Sequence, residues 1–310
     1  MPGFPTEPPS TEGSAALAAH PLGSATPDDA GRGAGAAFVG RRLGVDFWLS
    51  VAWIVLIILV SAFANLLPFQ DPTAIGANEP KAPPDIHHLL GTDELGRDLL
   101  SRVVYGARVS LVVGFTSIAF GMLIGGGIGL LAGFHRGRAD TVLNALSSIL
   151  LAFPGLIFLL AVVTFLGQNL VTVTLGLGIL SIAPLARIIR GNTIACANRE
   201  YVLAARALGA RNGRILIREI VPNVLPGALA FSLVAVAINI VVEGALSFLG
   251  LSVRPPTPTW GGMISEGGQV IAQDALVALW PSLAMFITVL ALNFAGDRLQ
   301  TYFQIREGAL

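Results

Sequence analysis

REYVLAARALGARNGRILIREIVPNVLP, residues 199–226, stands between two long apolar runs and is the only long polar interval of the C-terminal half with helical character. Helix formers fill it from Arg199 to Leu208, Gly209 offers a C-terminal stop, and a second helical pattern runs from Asn212 until Pro222 ends it. The stretch reads as two short helices joined by a bend. On the second, Arg211, Arg214 and Arg218 recur at spacings of three and four, which puts three cations along one face. The first carries Glu200 and Arg206, with Val202, Leu203 and Ala205 available for packing. Taken alone, such a segment is an amphipathic hairpin at a membrane surface with a solvated basic face.

The flanking sequence supplies the membrane. Of 310 residues, 54% are hydrophobic and only 12% charged, too apolar a composition for a soluble domain. A net charge of zero gives no global reason to expect a nucleic-acid partner. The single cysteine, Cys196, excludes an intrachain disulfide and a multi-cysteine metal site. Residues 1–44 mix Pro, Gly, Ser, Thr and Ala without apolar periodicity, so a disordered cytoplasmic tail is expected there. Because the first apolar run follows only after Arg41 and Arg42, it is expected to be a retained anchor rather than a signal peptide.

Six stretches are long and apolar enough to cross a bilayer: Phe47–Leu67, Val109–Phe134, Leu143–Leu166, Val171–Ile189, Val224–Leu249 and Leu276–Phe294. The expected fold is therefore an all-α integral membrane protein with six transmembrane helices and both termini on one side. The side holding the tail and the 199–226 segment carries 14 Lys and Arg against 5 on the other, which makes it cytoplasmic. The division expected is a tail over 1–44, a first membrane helix with an outer loop and amphipathic helix over 45–108, and a five-helix transmembrane domain over 109–304.

Before the second crossing, HHLLGTDELGRDLLSRVVYGARVSL (residues 87–111) predicts a helix capped by Thr92, with Asp93 and Glu94 in its first turn. Leu95, Leu99, Val103 and Ala107 would form its apolar stripe, Asp98 would pair with Arg102, and the helix would lie in the outer interface. His87 and His88 lack a third ligand and read as loop residues, so no metal site is expected. Ser117, Gly121, Gly125, Gly129 and Gly133 then recur every four residues, a smooth stripe for a close helix contact or a sliding surface. Pro154 and Pro184 would kink the third and fourth crossings.

Within the fifth crossing, Glu243 and, one turn before it, Asn239 are candidates for lining a translocation path, although a structural hydrogen-bonding role for Glu243 fits equally. Asp297, followed by Arg298, lies near the cytoplasmic surface, where solvent or a partner suffices. The run GLSVRPPTPTWGGMISEGG (residues 250–268) is too polar and too rich in Pro and Gly to span, and so is external or re-entrant, with Trp260 suited to an interfacial anchor.

Ala204, Ala205 and Gly209, followed by Ile220, Val221 and Pro222, resemble the EAA loop of ABC importer permeases, with Leu203 where that family has its glutamate and Glu200 one turn earlier. HLLGTDELGRD (residues 88–98) with the following Leu-Ser-Arg is similar to the segment marking the C-type permease subunit of dipeptide, oligopeptide and nickel importers. Leu246–Gly250 with Pro255, Pro256, Pro258, Trp260 and Gly261 resembles the PP-x-P-x-WG element of the same subunits. The resemblance extends over roughly residues 43–304 and implies an ABC type I importer permease fold in the cytoplasmic membrane of a bacterium. It implies that Glu200, Ala204, Ala205, Arg206, Gly209 and Pro222 couple to an ATPase. The implied partners are a B-type permease subunit, two ABC ATPase subunits and an extracytoplasmic binding protein.

ATP and Mg would belong to those ATPases, because the only lysine, Lys81, lies in a proline-rich loop and no G-x-x-x-x-G-K-[ST] loop exists. Nor does any H-E-x-x-H or G-x-S-x-G pattern point to an enzyme. The cargo implied is a di- or oligopeptide, with a nickel or other metal chelate as the alternative. An ion-coupled carrier would ordinarily need more intramembrane carboxylates or inverted repeats; a membrane scaffold or receptor that transports nothing is the remaining reading.

Overall fold

The computed structural model describes residues 44–308, in which all the extended regular structure is helical. The tail expected over 1–44 lies, but for its last residue, outside the described residues. In chain order the helices are α1 Val45–Ala62, α2 Leu99–His135, α3 Arg138–Ala152, α4 Gly155–Leu166, α5 Leu170–Ala197, α6 Glu200–Ala207, α7 Asn212–Phe248, α8 Trp260–Gln269 and α9 Leu276–Gly308. Five of them, α1, α2, α5, α7 and α9, are long and apolar enough to cross a membrane, and α3 with α4 makes a sixth candidate, bent by 81° at its break. Pro154 therefore does more than kink the third crossing; it N-caps a new helix after an extended Phe153. In α5, by contrast, the helix runs on through Pro184.

The core lies where α2, α7 and α9 meet: Leu111, Ile118, Val236, Ile240 and Leu292 are buried there, and α1 closes one side with Phe47, Ile54 and Ile57. A second cluster joins Val113 of α2, Leu159 and Val163 of α4, Val173 and Leu177 of α5, and Leu246 of α7. Polar ties fasten α1 at both ends. Arg298 of α9 binds the Asp46 carboxylate, and at the other end Arg108 donates to the Ser61 and Ala62 carbonyls.

The α2–α5 contact is the most extensive between helices and shows what the four-residue stripe is for. A Cβ built on Gly125 would stand 2.4 Å from the Ile182 carbonyl oxygen, and one on Gly129 would stand 2.5 Å from that of Ala186. Only hydrogen fits at either position, so the two backbones touch between Gly121 and Gly133, as small residues permit in a bilayer. The stripe is a packed seam between α2 and α5.

The outer segment departs from the expected amphipathic helix. Residues 92–98 form a tight loop closed by a bridge between Thr92 and Asp98, and helix begins only at Leu99, where Asp98 caps it by accepting from the Ser101 N–H and hydroxyl. Asp98 thus serves as the cap and does not pair with Arg102. Thr92 Oγ1 donates to the Glu79 carbonyl instead of capping a helix. The physical reason is Gly96 at φ 71°, packed so closely on Asn78 that no side chain would fit; it turns the chain where a helix would have continued.

Candidate functional site

At the end of the bundle that is inner in the expected topology, α6 begins directly after α5 and ends in a Schellman turn. The Gly209 N–H donates to Arg206 O and the Ala210 N–H to Ala205 O, with Gly209 at φ 77°. The chain then turns into α7. Pro222 does not end this second helix, contrary to the sequence expectation. A widened turn over Leu216–Ile220 shifts the Val221 N–H onto the Leu216 carbonyl, and helix continues through Pro222 and Pro226 into the membrane. Widening the turn immediately before a residue without an N–H is a low-cost way to carry proline inside a helix. The bend is consequently built on one short helix and on the extension of a membrane span.

Val202, Ile215, Ile220 and Val224 are buried against Phe134 of α2 and Ile189, Cys196 and Ala197 of α5. Arg206 lies over the Phe134 ring at 5.4 Å, adding a cation–π contact. Tyr201 bonds Cys196 Sγ through its hydroxyl at 2.8 Å, and desolvation, with that bond second, pushes its phenol well above the usual tyrosine range. Leu203, Leu208 and Ile217 remain exposed beside exposed Arg211, Arg214 and Arg218. Glu200, Ala204, Arg206, Gly209 and Pro222 are exposed and Ala205 is half-buried, so the expected coupling residues gather on one surface element. A Cβ at Gly209 would meet nothing within 4 Å of this chain, so the positive φ alone demands glycine here.

Asn239 and Glu243 are both inside the bundle. Asn239 donates to Ser117 Oγ at 2.8 Å and Ser181 Oγ at 3.0 Å, bridging α2 and α5 from α7. Glu243, fully buried, accepts from Ser110 Oγ at 3.0 Å and from Ser252 Oγ at 2.9 Å. In this conformation both hold helices together through hydrogen bonds that satisfy them.

The outer end holds a charge cluster that sequence spacing does not reveal. Asp93 accepts from Arg97 Nε at 2.6 Å and lies 3.5 Å from Arg102 Nε, while both guanidiniums reach Glu266 of α8 at 3.0 and 2.7 Å. Arg97, Arg102 and Asp93 are buried; Glu266 is half-exposed. Trp260, expected as an interfacial anchor, is wholly buried, and its Nε1 donates to the Val103 carbonyl. The cluster binds α8 to the head of α2, and α8 packs against α7 and α9 as a cap at that end of the bundle. His88 stays in the loop, 3.5 Å from Asp98, and the Asp85 carboxylate accepts from the His87 and His88 N–H groups in a tight turn.

Long apolar helices around a close seam, with a helix–bend–helix element at one end and a packed cap at the other, are the architecture of a membrane transport permease. The pattern defining the binding-protein-dependent transport system inner membrane component matches residues 125–307, and the chain belongs to that family. It is a multi-pass inner membrane protein of the ABC transporter permease type and not itself an ATPase. The glutathione transport system permease protein GsiD of Pectobacterium atrosepticum is 37% identical over 249 residues, covering 80% of this chain and 83% of its own. The protein of the same name from Escherichia coli O6:K15:H31 is 36% identical over 249 residues, with 80% and 82% covered. Among solved structures, an inward-facing form of the MetNI methionine ABC transporter aligns at a TM-score of 0.53 and 21% identity, covering 66% of this chain and 97% of that one. That likeness concerns the fold.

Proposed function

We propose that this chain pairs with a related B-type permease subunit to form the path by which short peptides enter the cell, driven by two ABC ATPase subunits and fed by an extracytoplasmic binding protein. Both termini and the α6–α7 bend lie in the cytoplasm, and ATP and Mg act on the partner ATPases alone. The observation that carries this reading is the α6–Gly209–α7 element: it is anchored in the bundle by Val202, Ile215 and Ile220, yet offers Leu203, Leu208 and Ile217 with three arginines to solvent. An exposed apolar patch rimmed by charge, rigidly joined to a membrane span, suits a partner that pushes on it. Glu200, Ala204, Ala205, Arg206, Gly209 and Pro222 are its coupling residues. The likeness to glutathione permeases supports peptide cargo over a nickel chelate. Glu243 and Asn239 belong to the polar interior around which the path opens when the helices rearrange.

The test is reconstitution of the permease pair with its ATPases and binding protein in vesicles, followed by uptake of glutathione, a dialanine peptide and a nickel chelate. ATP-dependent accumulation of the peptides is expected. Accumulation driven by an ion gradient without ATP, or of the nickel chelate alone, would refute the proposal.

A further inference from the structure

The break in the third crossing lies open. Leu151, Ala152, Phe153 and Pro154 are all exposed, and the chain is extended rather than helical at Phe153 and Pro154. Hydrocarbon cannot satisfy the backbone groups freed at such a break, so a break at membrane depth belongs against protein or a water-filled cavity. A second observation marks the same side. Arg187 of α5, exposed, reaches across to α3, where its partner is the neutral Ser148 hydroxyl at 3.0 Å. Of its neighbours, Arg190 binds the Asp140 carboxylate, whereas Arg136 likewise has a neutral partner, Asn198 Oδ1. Among the described residues no carboxylate pairs with Arg187.

Arg187 stands seventeen residues beyond the start of α5, roughly 26 Å along the helix and so short of the far side of a hydrocarbon core about 30 Å thick. So near the end of a span a long arginine side chain reaches the interface, and Arg187 stands at the mouth of the bundle rather than in the hydrocarbon. On the same side is an apolar hollow of about 500 Å³, lined by Ile128 of α2, Leu143, Leu146, Ser147 and Leu150 of α3, and Ile182 of α5. An open backbone break, an unmatched cation and an apolar hollow thus share the α3–α5 side.

We propose that Arg187 and Ser148 form an oxyanion-binding point on the wall of the translocation path, with the broken span as that wall, and that it takes a carboxylate of the transported peptide. This rests on the peptide-permease reading above. One hydroxyl occupies a single donor position of a guanidinium with five, leaving a fork that fits a carboxylate in bidentate fashion, while the hollow receives an apolar side chain. The phosphate of an anionic lipid offers the same chemistry and is the other source to be separated.

The experiment uses the complete complex in vesicles of pure phosphatidylcholine and in vesicles containing phosphatidylglycerol, with glutathione as probe. For Arg187→Gln we expect glutathione uptake to fall about tenfold or more, the loss of a charge-assisted hydrogen-bonded pair, in both lipids. Arg187→Lys should restore part of it, and binding-protein-stimulated ATP hydrolysis and recovery of the intact complex should be unchanged. A defect confined to phosphatidylglycerol vesicles would assign the site to lipid, and loss of the partner subunit on purification would assign Arg187 to assembly; either overturns the proposal. Undiminished uptake by Arg187→Gln overturns it alone, whereas absence of peptide uptake by the unaltered complex refutes the peptide reading and the proposal with it.

Discussion

Asp93 concentrates the outer cap in one side chain. One carboxylate oxygen receives the Leu95 and Arg97 N–H groups and the other takes the Arg97 guanidinium, all at a buried position. Removing its charge leaves Arg97 and Arg102 with only the half-exposed Glu266, and a buried cation stripped of its partner costs about 3–5 kcal/mol. Asp93→Asn is therefore expected to destabilise the outer segment by roughly the lower figure, measured as a lower midpoint of thermal unfolding and faster proteolysis of the 70–98 loop in the purified complex. Glu266→Gln should cost much less, about 1 kcal/mol or below, because water still reaches that carboxylate. Equal effects of the two would mean that the cluster is governed by Glu266 and not by the buried Asp93. None of this was legible in the sequence. Asp93, Arg97 and Asp98 have the spacing of a helix face, and the residue that completes the cluster lies 164 positions beyond Arg102. Local periodicity contains no information about such a partner, and the positive φ at Gly96 decided against a helix.

The α2–α5 seam is the element on which the bundle depends, and here spacing alone was informative. Gly121, Gly125, Gly129 and Gly133 fall every four residues, slightly more than one helical turn, so a stripe of missing side chains follows directly from the letters. What the letters left open was the partner, which proves to be Ser181, Ile182, Ala186 and Thr193 of α5. Gly125→Leu would drive a side chain into the Ile182 carbonyl, and backbone cannot yield as a flexible side chain does. We expect that variant to be lost from the membrane or to fail to assemble. Gly127→Leu is the matched control, since a Cβ there meets nothing within 4 Å and points away from the seam. The pair is read by quantifying each protein in membranes and its recovery with the complex; equal recovery would show that the seam tolerates separation. The helix–bend–helix was legible for a similar reason, as Gly209 marks a left-handed end in any context. Its second arm was not, because the widened turn before Pro222 depends on how α7 is held by α2 and α5 and has no sequence signature of its own.

At the scale of the whole molecule, α2 runs the full depth of the bundle, from the Arg102 cluster at one end to Phe134 beneath Arg206 at the other, and the glycine seam binds its second half, Gly121–Gly133, to α5. A push on the α6–α7 bend therefore acts on one long rigid body, and topology decides which partner can deliver it. In the proposed orientation, which rests on the bias of 14 against 5 basic residues, the bend is inside. A protease site inserted at Ala210 should thus be cut only in inverted vesicles and one at Ala77 only in intact cells with a permeable outer layer; the opposite pattern would reverse the orientation. Given that orientation, Gly209 is the position at which coupling can be separated from folding. Its surroundings are empty, so a side chain collides with nothing in this chain, and the cost of the φ of 77° is about 1–2 kcal/mol for a non-glycine residue. That is small against the burial of Val202, Ile215 and Ile220 that anchors the bend. Gly209→Asp should accordingly remain inserted and paired, yet present a tilted and newly acidic surface at the proposed ATPase-docking bend, and ATP-driven uptake should fall to background. Leu203→Glu, at a position 51% exposed, has room for the acid and should transport normally. Uptake by vesicles, measured together with recovery of the ATPases on the purified permease pair, separates the cases. Full uptake by Gly209→Asp with the ATPases still bound would show that force enters the bundle through some element other than this bend.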